Sequence, residues 1–209
     1  MKVISVNVGK AQEKEWQGKL VSTGIFKQAV ETSQWVSLMG MKGDEQADMK
    51  HHGGINKAVY SYDMAYYTHW KQHLQRKTWE FGLFGENLTT QGLYDSEVCI
   101  GNIYQIGTTV LQAIQPRIPC FKLNIRFGLP DMVAQFFEHK RHGVYFKVLQ
   151  EGYIAKGDAI ELIKASDFEI TITDVVECLT SKGEDRGKLS QILAIPLLPE
   201  VLKEVFGRF

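Results

Sequence analysis

Val144-Tyr145-Phe146-Lys147-Val148-Leu149, then Gly152-Tyr153-Ile154-Ala155-Lys156-Gly157-Asp158 and Ala159-Ile160-Glu161-Leu162-Ile163, is the stretch on which the reading of the fold turns. Aliphatic and aromatic residues alternate with polar ones over short runs, and glycines punctuate the runs, which is the pattern of brief strands joined by tight turns. Upstream, Tyr104 to Ile114 repeats it around Gly107, and the N-terminal Met-Lys-Val-Ile-Ser-Val-Asn-Val-Gly alternates like a first strand. Glu169-Ile170-Thr171-Ile172-Thr173 reads as a further strand, over about 169–176. Short strands at this spacing predict a barrel or sandwich rather than alternating βαβ units.

Helices are fewer. Asp63 is placed to cap one that carries Met64, Tyr67, Trp70 and Leu74 at spacings of three to four, and a second runs from Asp131 through Val133, Phe136 and Phe137. After Ser181-Lys182-Gly183-Glu184-Asp185-Arg186-Gly187 come Leu189, Ile192 and Leu193, a Pro196-to-Pro199 break, and Val201, Leu202, Val205 and Phe206. Helices this short do not bury a core alone. The expectation is a mainly β, α+β chain: a β domain over 1–165 and a small helical domain over 166–209.

The 209 residues carry 24 basic and 24 acidic side chains, with 44% hydrophobic residues. Balanced charge offers no footprint for a nucleic-acid polymer or an anionic membrane. No run approaches the ~18 apolar residues of a membrane helix, and the N-terminus has no signal-peptide core. Cys99, Cys120 and Cys178 make an odd count without a C-x-x-C pair, which argues against a disulfide framework or a four-cysteine zinc site. The expected setting is reducing and cytoplasmic.

Chemistry concentrates in four segments. Gly53-Gly54 offers unobstructed backbone N–H groups beside Lys57, which suits an anion such as phosphate; adjacent His51 and His52 point to opposite faces if extended and make a poor joint clamp. Glu86-Asn87, in Gly85-Glu86-Asn87-Leu88, supplies a carboxylate and a short side chain that both donates and accepts. In Gln115-Pro116-Arg117-Ile118-Pro119-Cys120 two prolines stiffen the path, so a forked guanidinium and a thiol are held with little freedom. A nearby guanidinium favours the thiolate, the form that ligates soft metals; the competing reading is a small buried hydrophobe, and Cys99 and Cys178 take that one. Arg141-His142-Gly143 turns into a strand, and its Arg and His either line a pocket or are solvated.

Taken in order, these segments resemble the MOSC domain, named after the C-terminal domain of molybdenum-cofactor sulfurase. The matches are Gly43-Asp44 with Ala47-Asp48, His52-Gly53-Gly54 with Lys57-Ala58-Val59, Gly85-Glu86-Asn87-Leu88, Gly101-Asn102 with Ile106-Gly107, Gln115-Pro116-Arg117 with Pro119-Cys120, Gly143-Val144-Tyr145, and Gly157-Asp158. They span about residues 1–165, and the tail resembles the three-helix domain that follows MOSC in the bacterial YiiM group.

The resemblance implies a β-barrel that holds the molybdenum cofactor, a molybdopterin, with Cys120 as the protein ligand to the metal. It implies Arg117 beside the cofactor, and His52, Gly53, Gly54, Lys57, Asn87 and Gln115 around the pterin and its phosphate. Catalysis would fall to Cys120 and Arg117 with a proton donor, for which His142, His52 and Glu86 are candidates. The implied activity is reduction of small N-hydroxylated compounds, such as hydroxylaminopurines, to amines. Electrons would come from a separate flavin or iron–sulfur reductase, because the chain has no iron–sulfur cysteine set. The alternative is a non-catalytic cofactor or sulfur carrier with a persulfide on Cys120. The superfamily also brings an association with pyridoxal phosphate. Phe206 and Phe209, read as exposed, leave room for a homodimer.

Overall fold

The computed structural model describes residues 1–47 and 53–209. Its frame is an eight-stranded sheet in the spatial order β13 (Ile160–Lys164), β9 (Ile103–Ile106), β10 (Thr109–Pro116), β11 (Val144–Gln150), β7 (Val59–Asp63), β8 (Leu88–Gln91), β1 (Lys2–Val8) and β4 (Gln28–Val30). The β7–β8 pair is parallel and the other pairs are antiparallel. A three-stranded sheet is formed by β12 (Gly152–Ile154), β5 (Gln34–Ser37) and β6 (Gly40–Met41), and β2 (Gln12–Trp16) pairs with β3 (Lys19–Thr23). The hairpin around Gly107 and the strand over 144–149 fall where alternation puts them.

The sheets do not close, and the expected barrel is corrected on that point. β1 pairs with β8 along one edge, while β4 occupies Val6 to Val8 on the other. Only the first residues of β1 remain to meet the far end of the sheet. They do so through a single bridge, Lys2 to Ala159, with Val3 N–H to Asp158 O at 2.9 Å and Ile160 N–H to Met1 O at 3.0 Å. The sheet therefore curls strongly without a closing ladder.

Helix α1 (Met64–His73) starts where Asp63 accepts from Ala65 N–H at 2.9 Å, and it buries Tyr67 and Trp70. Helices α2 (Lys122–Phe127) and α3 (Met132–His139) follow the Pro-Arg-Ile-Pro-Cys segment. Trp70, Phe84, Phe127 and Phe136 with Tyr60 and Tyr62 make an aromatic core on this side, in which Trp70 and Phe136 stack at 5.9 Å.

The strand expected over 169–176 is instead one bridge, Cys99 to Thr171, followed by helix α4 (Ile172–Thr180). Thr171 Oγ1 accepts from Asp174 N–H at 3.0 Å and the Asp174 carboxylate accepts from Thr171 N–H at 2.8 Å, a capping box that outweighs the β-branched run. Helices α5 (Arg186–Leu193) and α6 (Glu200–Phe206) complete the tail. Their apolar faces join Ile100, Leu111 and Phe146 of the sheet side in one cluster. Phe206 lies inside that cluster, 1% exposed, so the expectation of an exposed aromatic there is also corrected. No helix among the described residues is long and apolar enough to cross a membrane.

Gly143 opens β11 at φ +71°, and a Cβ there would sit 2.3 Å from the Ser61 carbonyl oxygen. Gly157 has φ +93° with open space around it. Gly157→Ala is expected to cost only about 1 kcal/mol of backbone strain, whereas Gly143→Ala must also displace β7 and should cost several kcal/mol more. Urea unfolding of the two variants checks this; equal losses would refute the close approach.

Candidate functional site

Two cavities meet at Cys120. The inner one, about 90 Å³, is a polar cleft with Lys27, Asp44, Gln46, Asn87, Arg117 and Lys122 in its walls. The outer one, about 900 Å³, is a mainly apolar groove between the sheet and the tail helices, with Ile118, Pro119 and Phe137 facing Leu179, Val201 and Val205. Lys57, Ile118, Cys120 and Tyr145 belong to both. The half-buried Cys120 thus stands where a charged recess opens into an apolar groove.

Arg117 follows directly on β10, whose pairing with β11 slips between Ala113 and Gln115 and re-aims the strand end. Arg117 N–H donates to Gly143 O at 3.4 Å, and its own carbonyl accepts from His142 Nδ1 at 2.7 Å. Both His142 N–H and Gly143 N–H donate to Asp95 Oδ2 at 2.9 Å. One carboxylate and one imidazole therefore clamp the two segments that carry the site.

The Arg117 guanidinium is buried over the rings of Tyr60 (5.6 Å) and Phe136 (5.3 Å). Burial opposes its charge, yet Tyr60, Tyr145 and Cys120 lift its pKa above the ordinary arginine value. Burial also raises Tyr60 and Tyr145, so both are neutral phenols. Nη1 has no hydrogen-bond partner among the described residues. Two cation–π contacts supply ~1–2 kcal/mol each toward the several kcal/mol it costs to desolvate an ion. A buried cation left short in this way is chemically suited to receive an anion.

Lys27 and Asp44 form a buried ion pair in the same cleft, where burial lowers the Lys27 pKa against the pull of Asp44. Asn87 Nδ2 donates to Asp44 Oδ2 at 2.9 Å and its Oδ1 accepts from Tyr60 N–H at 3.1 Å, so its amide ties β7 to the 44–47 loop. Gln115 Nε2 donates to Asn56 O at 3.2 Å and fixes the one-turn 3-10 helix Ile55–Lys57 against β10. Gly54, at φ +91°, enters that turn with no described atom within 4 Å of a notional Cβ, and its carbonyl accepts from Lys57 N–H at 2.9 Å. Gln46 Oε1 is buried without a partner among the described residues, an acceptor awaiting an N–H.

The expected residues therefore divide. Gly53, Lys57, Gln115, Arg117 and Cys120 come together at the two cavities, with Asn87 in the cleft wall and Gly54 beside Gly53. His52 lies outside the described residues. His142 is fully buried against Phe136 and Phe137 and lines neither cavity; burial lowers its pKa to about 4, and it is a neutral ring whose proton sits on Nδ1. Glu86 is likewise sealed, accepting from Gly82 N–H and Thr89 Oγ1 at 2.8 Å and from Tyr67. Sequence reasoning missed Lys27 and Asp95, which stand in unremarkable local sequence, and gave no role to Gln46, which lies between the Gly43-Asp44 and Ala47-Asp48 matches. It also missed Tyr60 and Tyr145, although both close segments that had been singled out.

The fold and the cleft define an α+β protein with a cysteine and a buried arginine at one strand end. A family profile described as the MOSC domain matches residues 48–161. The Bacillus subtilis protein YflK is 38% identical over 170 residues, covering 81% of this chain and 76% of that protein. A protein of Gibberella moniliformis named "Reductase" is 31% identical over 198 residues, 93% of this chain but only 35% of that protein's length. The crystal structure of YiiM from Geobacillus stearothermophilus superposes with a TM-score of 0.83 at 31% identity, covering 99% of this chain and 97% of the other. This chain belongs to the MOSC family.

Asp95 and His142 pull stability in opposite directions with pH. Burial raises the Asp95 pKa to about 6, so its contribution is full below the ordinary aspartate pKa and is lost as pH rises through 6. The lowered His142 pKa gives a contribution that is full above the ordinary histidine pKa and is lost as pH falls through 4. Asp95→Asn should remove the first and expose the second. Relative to the parent, its stability should fall more steeply between pH 6.5 and 4, by on the order of 2–3 kcal/mol. Parallel curves in pH-dependent urea unfolding would contradict this assignment.

Proposed function

We propose that this chain holds a pterin-based molybdenum cofactor through Cys120 and reduces N-hydroxylated bases, hydroxylaminopurines among them, to amines. The observation that carries the reading is the placement of Cys120 between a cationic cleft and an apolar groove large enough for a planar heterocycle. The donor set fits the cofactor: a thiol for a soft metal, a buried guanidinium short of partners for a phosphate, and the orphaned Gln46 Oε1 for a pterin N–H. When bound, the group supplies two-electron redox chemistry at a thiolate-ligated metal. The name of the fungal relative supports a reductase.

The protein's part is to bind and orient. Arg117, Lys57 and the N–H groups of Gly53 and Gly54 hold the anionic end, with His52 assigned to the same end by its place in the motif. Asn87 and Gln115 act by fixing Asp44, Tyr60 and the 55–57 turn. Ile118, Phe137, Leu179 and Val201 present apolar walls to a flat base. The reaction balances as R–NHOH plus two electrons and two protons giving R–NH2 and water, the electrons arriving from a separate flavin or iron–sulfur reductase. His142 and Glu86, sealed behind the walls, serve position, and the protons come from groups lining the cavities or from water.

Protein made in a cofactor-competent host should contain close to one molybdenum per chain and convert 6-hydroxylaminopurine to adenine with a chemical reductant. Cys120→Ala should lower both by more than about tenfold. Bound molybdenum without N–OH reduction would favour the carrier with a Cys120 persulfide. Metal far below one per chain, with Cys120→Ala unchanged, would sink the cofactor reading altogether.

A further inference from the structure

Three histidines gather on the surface away from Cys120. His69 and His73 lie one turn apart on α1, and His139 is the last residue of α3. One ring nitrogen from each lies within 4.8 Å of the others, and His69 Nε2 faces His139 Nδ1 at 3.1 Å. Three imidazoles around a tetrahedral zinc ion, each ~2.0–2.1 Å from it, stand roughly 3.3 Å apart. One pair already meets that spacing, and His73, being exposed, closes the rest by side-chain rotation.

The tautomers are suited as well. His73 Nδ1 lies 2.8 Å from the His69 carbonyl oxygen, so it carries the proton and leaves Nε2 as a lone pair, the backbone orientation that zinc-ligating histidines commonly have. The 3.1 Å contact between the other two rings requires one to donate. Ion binding moves that proton to the far nitrogen of the same ring, so three neutral imidazoles bind with no net proton release. Trp70, fully buried, packs edge-on against His69 and His139 at 5.5 and 4.9 Å and gives the cluster a rigid floor.

We propose that His69, His73 and His139 form a surface site for a borderline divalent metal ion such as Zn2+, with a fourth position open to solvent. The ligands are neutral and Arg141 stands close by, its Nη1 donating to His139 O at 3.2 Å and its guanidinium lying over Tyr66. That fixed positive charge opposes the ion while Glu138 favours it, so the affinity is expected to fall below that of a closed structural site. The ion would pin α1 to α3. Because α3 carries Phe136 over Arg117 and Phe137 in the wall of the apolar groove, the site braces one side of the cavities.

The test is calorimetric titration of ZnCl2 into tag-free, chelator-treated chain, with thermal unfolding alongside. One Zn2+ per chain is expected, with a Kd of about 10 μM or tighter and a rise in Tm. His73→Ala, at an exposed position where the apo fold is retained, should weaken binding at least about tenfold and abolish the Tm rise. Cys120→Ala and the paired His51→Ala/His52→Ala chain should bind as the parent does. Millimolar binding by the parent, unchanged affinity in His73→Ala, or loss of binding in either control would overturn the site.

Discussion

A guanidinium buried with no carboxylate partner among the described residues is the constraint on which the rest of the structure turns. Arg117 is kept charged beside Tyr60, Tyr145 and Phe136, whose contacts offset the cost of desolvating it. Holding it there takes backbone, not counter-charge. The β10–β11 slip aims it, the His142 ring grips its carbonyl, and Asp95 grips the backbone N–H groups of His142 and Gly143. The apolar core below, continuous from the sheet into the tail helices, makes that scaffold stiff enough to keep a buried charge in place.

The proposed function rests on the same buried charge. A ligand that brings an anionic group to Arg117 repays the desolvation, so binding and stability are coupled. The two cavities divide the work. The inner recess is small and carries charged side chains in its walls, while the groove beside it is roomy and mainly apolar and takes its outer wall from the tail helices. Cys120 is common to both, so one thiol faces charge on one side and hydrocarbon on the other.

Much of this was legible in the residues. Alternation located β9 to β13, Asp63 marked the start of α1, and the spacing of Arg117 and Cys120 between prolines singled out the segment that the fold does bring to the cavities. Other features were not legible, for physical reasons. The strand expected over 169–176 became a helix because the Thr171–Asp174 cap satisfies its first amides, a term that periodicity ignores. An open rather than closed sheet depends on which strands pair with β1, here β4 over Val6–Val8 and only one bridge from Lys2 to Ala159, a choice between distant segments. Lys27 and Asp95 gave no local signal because their importance lies in what they face across 17 and 47 residues of chain. His142 stood out by residue type, yet burial turned it toward a carbonyl rather than a cavity.

The central claim is that Cys120 is the protein's own ligand at the site Arg117 creates. X-ray absorption at the molybdenum edge, on protein loaded in a cofactor-competent host, addresses it most directly when the parent is compared with Cys120→Ser. The account expects the metal to show one sulfur neighbour fewer in the variant that still retains cofactor. An identical sulfur count in the two proteins would contradict it.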